Sequence, residues 1–430
     1  MPTWFARIVA CFVFPRERRR AFRAKHCVRR ETRIERLERK IDLLTRAFLL
    51  KETAPEAFRA LSLPAALPPG ISEKLSAQRW ANADENGETK HLCLTTQAKL
   101  LQELFYLLPT ETVADELKRL LFFSYGDASR IALLDALSWV LRRDENYAAV
   151  VEALTPDFNA GTEFPAALFR RFALCALRGG NTDKAEKALR MHYARFGTRD
   201  LWRNFDLARL SETLGGNDAE IRAVVSVGKR LEKSFSEGVF EKLLSGKRVA
   251  VVGNGPQEVG RGNGAKIDAY DVVVRFNDFP TDEKFRRDHG AKTDVWVTSC
   301  HTKTAWRDGI PAVIAGDFFY TDEFPNMWLV ENLARNPKTC ATAFSLDFYV
   351  ETRRESGIKL PTLGALVLAR IKKIRPEFSA DDVFGFSFKE SIPTKKLEHY
   401  YRTEATKNGT IHNLDEERAF LRRLFGMEGE

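Results

Sequence analysis

No two aspartates in this 430-residue chain stand at D-x-D spacing, which argues against the common metal-clamped site for a nucleotide-activated sugar. Any group transfer is then expected to run without a divalent cation, leaving a departing phosphate to hydrogen-bond donors and cationic side chains. The glycines near residue 255 fall at 253, 255, 260, 262 and 264, which does not give G-x-G-x-x-G, and no G-x-x-x-x-G-K-[ST] occurs, so a nicotinamide enzyme and a P-loop nucleotidase both lose their main warrant. Cysteine is scarce. The six, at 11, 27, 93, 175, 300 and 340, show no C-x-x-C spacing, which disfavours a zinc knuckle or a disulfide framework and suits a reducing compartment. Charge is also missing where a nucleic-acid surface would need it. Residues 1–40 hold 13 Lys and Arg against 4 Asp and Glu, and this surplus equals the whole net charge of +9. The rest of the chain is formally neutral, and no nucleic-acid partner is expected.

What is present begins with that basic arm. An apolar run from Trp4 to Phe14, interrupted by Arg7, is too short to span a bilayer, and its charges follow the apolar part where those of a signal peptide would precede it. Residues 1–30 therefore read as a basic amphipathic segment for an anionic membrane surface, with Trp4, Phe5, Phe12, Phe14 and Phe22 beside the arginines. Residues 31–95 form a helix and linker: Ile34, Leu37, Ile41, Leu44 and Phe48 make a short heptad seam, and Pro55, Pro64, Pro68 and Pro69 punctuate the stretch after it. Residues 96–240 are a run of amphipathic helices, an all-α, repeat-like domain. In it Gly179-Gly180-Asn181 and Gly215-Gly216-Asn217 recur 36 residues apart. Docking of a protein partner or support of the neighbouring domain is its expected role; Gly-Gly as a plain helix stop is the bland alternative.

From residue 245 to 430 strands alternate with helices, the pattern of an α/β domain with a parallel, Rossmann-like sheet. Strands are expected at 248–252, 271–276, 294–298, 311–315 and 382–388, with a helix from Thr362 to Ile374 before the last. The organising stretch is KRVAVVGNGPQEVGRGNGAKIDAYDVVVRFND, from Lys247. Four buried β-formers run into Gly253-Asn254-Gly255, and Asn277 ends the next strand, so both carboxamides are expected at the carboxyl edge of the sheet, where open α/β sheets bind ligands. Taken singly, each has a plainer reading: an asparagine after a strand is usually a turn residue, and Tyr400, His412 and Glu417 are commonplace packing or surface groups.

Taken together and in order, these residues resemble the sialyltransferases of glycosyltransferase family 29. VAVVGNGPQEVGRGNGAKIDAYDVVVRFNDFPT followed by DHGAKTDVW resembles the large sialyl motif, and LPTLGALVLARIKKI with DDVFGFSF the small one. His399-Tyr400-Tyr401 resembles the third motif, and His412 with Glu417 the very small motif. The resemblance runs from residue 245 onward and implies inverting transfer of sialic acid from CMP-sialic acid to a sugar hydroxyl, on a variant nucleotide-sugar-transferase sheet. It implies that Gly253, Asn254, Gly255 and Asn277 contact the nucleotide, that Thr362 and Gly364 hold CMP at a helix N-terminus, and that Tyr400 and Glu417 belong to the same CMP-sugar site. It makes His412 the general base and His399 the donor to the departing phosphate. No metal ligand and no cofactor are implied, CMP-sugar being a co-substrate. Relatives of the secretory pathway pair two cysteines whose approximate counterparts here are Val249 and Phe378, so no bridge is expected and a bacterial-type enzyme is implied, cytoplasmic and peripheral on the inner face of the cell membrane. Leu363 departs from the family by standing between Thr362 and Gly364.

The expected partners are CMP-sialic acid and a glycan acceptor in surface-polysaccharide synthesis. Transfer of another CMP-activated acidic sugar such as Kdo is one alternative. A helical scaffold that binds nucleotide without turnover is the other, and the pair His399 and His412 speaks against it. The histidines at 26, 91, 192, 289 and 301 read as structural or solvated; His301, beside Cys300, is the one near a strand end.

Overall fold

The computed structural model of the chain describes residues 98, 101–102, 105, 110–122, 127–301, 304–389, 412 and 414–427. The basic arm of residues 1–30, the heptad seam from Ile34 to Phe48 and the linker to residue 95 lie outside the described residues, as do His399, Tyr400 and Tyr401. Residues 85–430 form one compact unit.

Its first part is helical: α1 (Thr110–Phe122), α2 (Asp127–Arg143), α3 (Tyr147–Asn159), α4 (Ala166–Arg178), α5 (Thr182–Phe196), α6 (Phe205–Thr213) and α7 (Ala219–Ser236). The two Gly-Gly-Asn stretches do join helices, α4 to α5 and α6 to α7, but not in the same conformation. In the first, Gly180 takes the left-handed backbone (φ 77°) and Asn181 caps α5; in the second, Gly215 does (φ 94°) and Asp218 stands at the cap. The left-handed residue has moved by one position, so the 36-residue spacing does not bring a repeated turn geometry. Inside α5, His192 is fully buried; its Nδ1 donates to Gly197 O (3.1 Å) and its Nε2 has no partner. Burial pushes its pKa down to about 4, against an ordinary value near 6.5. Because the unfolded chain binds this proton more readily, the associated stability is complete above about pH 6.5 and is lost as pH falls toward 4, a change of roughly 3 kcal/mol. Denaturant midpoints followed from pH 7 to pH 4 are expected to fall less steeply in His192→Gln than in the wild type.

After α8 (Val239–Leu244) the sheet begins: β1 (Val249–Val252), α9 (Gly264–Asp268), β2 (Val272–Phe276), α10 (Glu283–His289), β3 (Val295–Thr298), β4 (Ala312–Ala315), α11 (Trp328–Arg335), β5 (Cys340–Ala343), α12 (Leu346–Ser356), α13 (Leu363–Ile374), β6 (Val383–Phe384) and α14 (Leu414–Leu424). All pairings are parallel and the order is β5-β4-β3-β2-β1-β6. Strands β1 to β4 are buried residue by residue, as expected for a parallel sheet covered on both faces. On one face Val249, Val251, Val272, Val274, Val295, Val297 and Ile314 join an apolar cluster with side chains of α8, α12, α13 and α14. The other face of β1 and β2 packs with Ile267, Tyr270 and Phe384. Val249 and Phe378 both belong to the first cluster, so apolar packing occupies the two positions compared above with a cysteine pair. β5 was not expected: CATA is short, carries a threonine, and has none of the long branched residues that mark its neighbours. The last strand is shorter than the expected 382–388, because Gly385 turns left-handed (φ 67°) and ends the pairing.

Candidate active site

The strand order runs outward from β1 to β5 and then returns to place β6 on the other side of β1. The order therefore reverses between β1 and β6, and in open α/β sheets the crevice at the carboxyl ends of such strands receives the ligand. Gly253-Asn254-Gly255 leaves β1 there, and Gly385-Phe386 leaves β6.

The two loops touch along their backbones. Gly253 N donates to Phe384 O (2.8 Å) and Gly255 N to Gly385 O (3.0 Å). A Cβ on Gly253 would stand 2.6 Å from Gly385 O, and one on Gly385 would stand 2.5 Å from Gly253 O. Close approach of two backbone segments is therefore what requires glycine at 253 and 385, and the amides of Gly253 and Gly255 are already used within the protein. Buried Glu258 fastens the same junction, accepting from Gly385 N (3.2 Å) and Asn263 Nδ2 (2.7 Å). Gly385→Ala is expected to lower the melting temperature by several degrees, since the left-handed backbone alone costs about 1–2 kcal/mol and the Cβ clash adds to it. Gly260→Ala, also left-handed (φ 83°) but with open space around the new Cβ, is expected to cost only the backbone part when the two are compared by thermal melts.

Asn254 and Asn277 meet as expected. Asn254 Nδ2 donates to Phe276 O (3.0 Å) and Asp278 O (3.1 Å), the carbonyls on either side of Asn277. Asn277 adopts φ 48°, a left-handed backbone that asparagine tolerates. Its carbonyl is held by Trp296 Nε1 (2.8 Å), and its Oδ1 accepts from Ser299 N (3.1 Å). The two carboxamides thus lace together the ends of β1, β2 and β3. Other members of the large-motif stretch act deeper as staples. Buried Arg275 donates to Lys292 O (2.9 Å) and His289 O (2.6 Å), Asp268 accepts from the amides of Ala291 and Lys292, and Asp294 accepts from Val273 N (2.8 Å).

The third wall is the N-terminus of α13. Thr362 is its N-cap, with Oγ1 accepting from Ala365 N (3.2 Å). Leu363 and Gly364 come next, and among the described residues their amides have no acceptor, the usual state of a helix's first turn. Such amides and the helix dipole favour an anion. Gly364 is fixed by Phe386, whose ring would lie 2.7 Å from a Cβ on Gly364 and 2.7 Å from one on Gly253. One half-buried ring therefore keys the ends of β1, β6 and α13 together. Leu363, which stands between Thr362 and Gly364, turns toward Gly316 at the end of β4.

His412 and Glu417 join this wall. Glu417 is buried; it accepts from Thr362 N (2.8 Å) and Thr362 Oγ1 (2.7 Å), clamping the cap of α13. Burial raises its pKa, while the Thr362 bonds and then the nearby His412 pull it back. His412 Nδ1 lies 2.8 Å from Leu360 O. A carbonyl can only accept, so Nδ1 carries the hydrogen, and in the neutral ring Nε2 is the nitrogen with an open lone pair. Gly253, Asn254, Gly255, Asn277, Thr362, Gly364, His412 and Glu417 thus line the carboxyl ends of β1, β2 and β6 and the start of α13. The Leu360 and Phe386 contacts were not foreseen, although the F-G-F turn itself was visible in the sequence.

The model described as glycosyltransferase family 29 (sialyltransferase) matches residues 207–311. That match begins within α6, ahead of residue 245, so the likeness reaches into the helical part and corrects the limit set from the motifs. The human CMP-N-acetylneuraminate-beta-1,4-galactoside alpha-2,3-sialyltransferase is 27% identical over 248 residues, 49% of this chain and 62% of that protein. The mouse alpha-N-acetylgalactosaminide alpha-2,6-sialyltransferase 2 is 37% identical over 107 residues, 24% of this chain and 28% of that protein. A crystal structure of a mammalian sialyltransferase in complex with Gal-beta-1-3GalNAc-ortho-nitrophenol is 23% identical with a TM-score of 0.32, covering 43% of this chain and 69% of that one. This chain spans less than two thirds of the length of the human relative. The matched residues 207–311 carry the ends of β1 to β3 with Asn254 and Asn277, so the similarity to glycosyltransferase family 29 (sialyltransferase) falls on this edge of the sheet.

Proposed function

We propose that the chain is an inverting glycosyltransferase that moves sialic acid from CMP-sialic acid to a sugar hydroxyl, with His412 as general base and no divalent cation. The observation that carries the reading is the unit made by Leu360, His412, Glu417 and Thr362, which joins an imidazole with an open Nε2 to the cap of an anion-favouring helix. In this reading the CMP phosphate lies against the amides of Leu363 and Gly364 at the β1/β6 crevice. Nε2 of His412 takes the proton of the acceptor hydroxyl as its oxygen attacks the anomeric carbon of sialic acid from the face opposite the nucleotide. The bond from that carbon to the phosphate oxygen breaks, its electron pair stays on CMP, and the configuration inverts. The imidazolium is stabilised by Glu417, and His399 supplies a hydrogen bond to the departing phosphate. The matched relatives are sialyltransferases that act on galactosides or N-acetylgalactosaminides, which supports the donor and suggests a galactoside acceptor.

The test is release of CMP from CMP-sialic acid, in the presence of galactosides and EDTA. Turnover well above that of His412→Ala is expected. No difference from that variant overturns the assignment, and activity abolished by EDTA overturns its metal-free part alone. We further place the enzyme on the cytoplasmic face of an anionic membrane, in surface-glycan synthesis, through the basic arm. Cosedimentation with anionic liposomes that survives deletion of residues 1–30 contradicts this.

A further inference from the structure

A second group of polar side chains stands along the same carboxyl edge, at the ends of β3 and β4, and the proposed chemistry does not use it. The His301 side chain is 57% exposed, yet its ring is anchored: Nε2 lies 3.0 Å from Thr321 Oγ1 and 3.8 Å from Asp317 Oδ2. Asp317 is itself committed, accepting from Cys300 N (2.7 Å) and Ser299 Oγ (2.7 Å), and His301 N donates to Ser299 Oγ (3.0 Å). Ser299 N in turn bonds Asn277 Oδ1, so the group is continuous with the site already described. Behind it the helical part holds the β4 loop in place. Asn204 Nδ2 donates to Thr321 O (3.0 Å), Arg178 to Phe319 O (3.0 Å) and Arg170 to Glu323 (2.8 Å), and Arg142 and Arg143 pair with Asp322. An exposed side chain normally keeps its rotamer freedom, and fixing one costs free energy that a plain surface position has no reason to spend.

Resting on the sialyl-transfer reading, we propose that His301 is an acceptor-binding residue, held by Thr321 and Asp317 to hydrogen-bond a hydroxyl of the acceptor sugar. Two observations favour a neutral sugar here over a second anionic group. Asp317 and Asp278 both lie at this edge, and the nearby cation Arg307 is already paired with Asp278 (3.5 Å). β3 also lies two strand spacings from β1, about 10 Å, which is room for a sugar ring beyond the anion-favouring end of α13. Among the described residues Nδ1 of His301 has no partner, so the ring has one nitrogen for its support and one for a ligand.

The experiment varies lactose at saturating CMP-sialic acid for the wild type, His301→Ala and Thr321→Val, with CMP affinity measured by calorimetry on each. The KM for lactose is expected to rise about tenfold in His301→Ala, the loss of one hydrogen bond of about 1.4 kcal/mol, and less in Thr321→Val, which keeps the ring but frees it. kcat and CMP affinity are expected to stay within about twofold of the wild type, the pattern of lost uniform binding. An unchanged lactose KM in His301→Ala overturns the proposal, as does a rise matched by an equal loss of CMP affinity, which marks a structural lesion. Wild-type protein that transfers nothing brings down the functional reading instead. Saturation-transfer NMR of lactose then decides the contact by itself, with binding to the wild type and not to His301→Ala supporting it and equal signals or none overturning it.

Discussion

His412→Ala is expected to lower kcat for sialyl transfer by about 10²- to 10⁴-fold, the usual yield of a positioned general base, while leaving CMP affinity nearly unchanged. The reason is geometric. Leu360 O fixes the hydrogen on Nδ1, so removing the ring removes an open Nε2 and little of the packing, since His412 is only half-buried. Added imidazole is expected to restore part of the activity, because a small base can enter the space the side chain leaves. A structural role for His412 predicts instead a lower melting temperature, weaker CMP binding and no rescue. Steady-state kinetics with and without imidazole, beside calorimetry with CMP, separate the two.

Glu417→Gln is the second large effect. A carboxylate accepts both hydrogens that Thr362 presents, its N–H and its O–H, whereas an amide has a single acceptor oxygen and turns its NH₂ toward one of them. In the proposed reaction the substitution also removes a nearby acidic group that would favour the imidazolium of His412. A fall in kcat on the order of tenfold to a hundredfold is expected, that is, one to two multiples of about 1.4 kcal/mol. Stability takes a different course. Burial raises the pKa of Glu417, so the folded chain holds this proton more tightly than the unfolded chain does. The stability tied to the group is therefore complete below the ordinary carboxylate range and is lost as pH rises through the raised value. Glu417→Gln is expected to flatten that decline in a series of denaturant melts from pH 4 to pH 8, even as activity falls. An equal slope in both proteins would mean that Glu417 ionises as freely in the fold as outside it.

The sheet was legible to the extent that its strands are uniform apolar runs. Val249–Val252, Val272–Phe276, Val295–Thr298 and Ala312–Ala315 each fall within one residue of the expected start and share its end, whereas Cys340–Ala343 has too little branched apolar character to announce itself. Strand order depends on crossovers that no local pattern encodes, and it was the return of β6 to the side of β1 that located the crevice. At the site, Asn254, Asn277, Thr362, His412 and Glu417 all stand in the stretches whose resemblance to sialyl motifs drew attention to them. Their partners were not, because Leu360 lies 52 residues from His412 and Thr362 lies 55 from Glu417. Nor could the motif separate residues at the crevice from staples. Arg275 and Asp268 belong to the same stretch as the two asparagines, yet they bond backbone carbonyls and amides of the 289–292 turn. His301 read as an ordinary histidine because Thr321 and the arginines and asparagine that brace its loop come from distant parts of the chain.

The most direct test of the central claim is mass spectrometry of a galactoside acceptor after incubation with the purified chain, CMP-sialic acid and EDTA. The account predicts that the acceptor gains one sialic acid residue in step with CMP release, and that His412→Ala slows both by about 10²- to 10⁴-fold. CMP release without any gain in acceptor mass, or a gain only when CMP-Kdo replaces CMP-sialic acid, would contradict it.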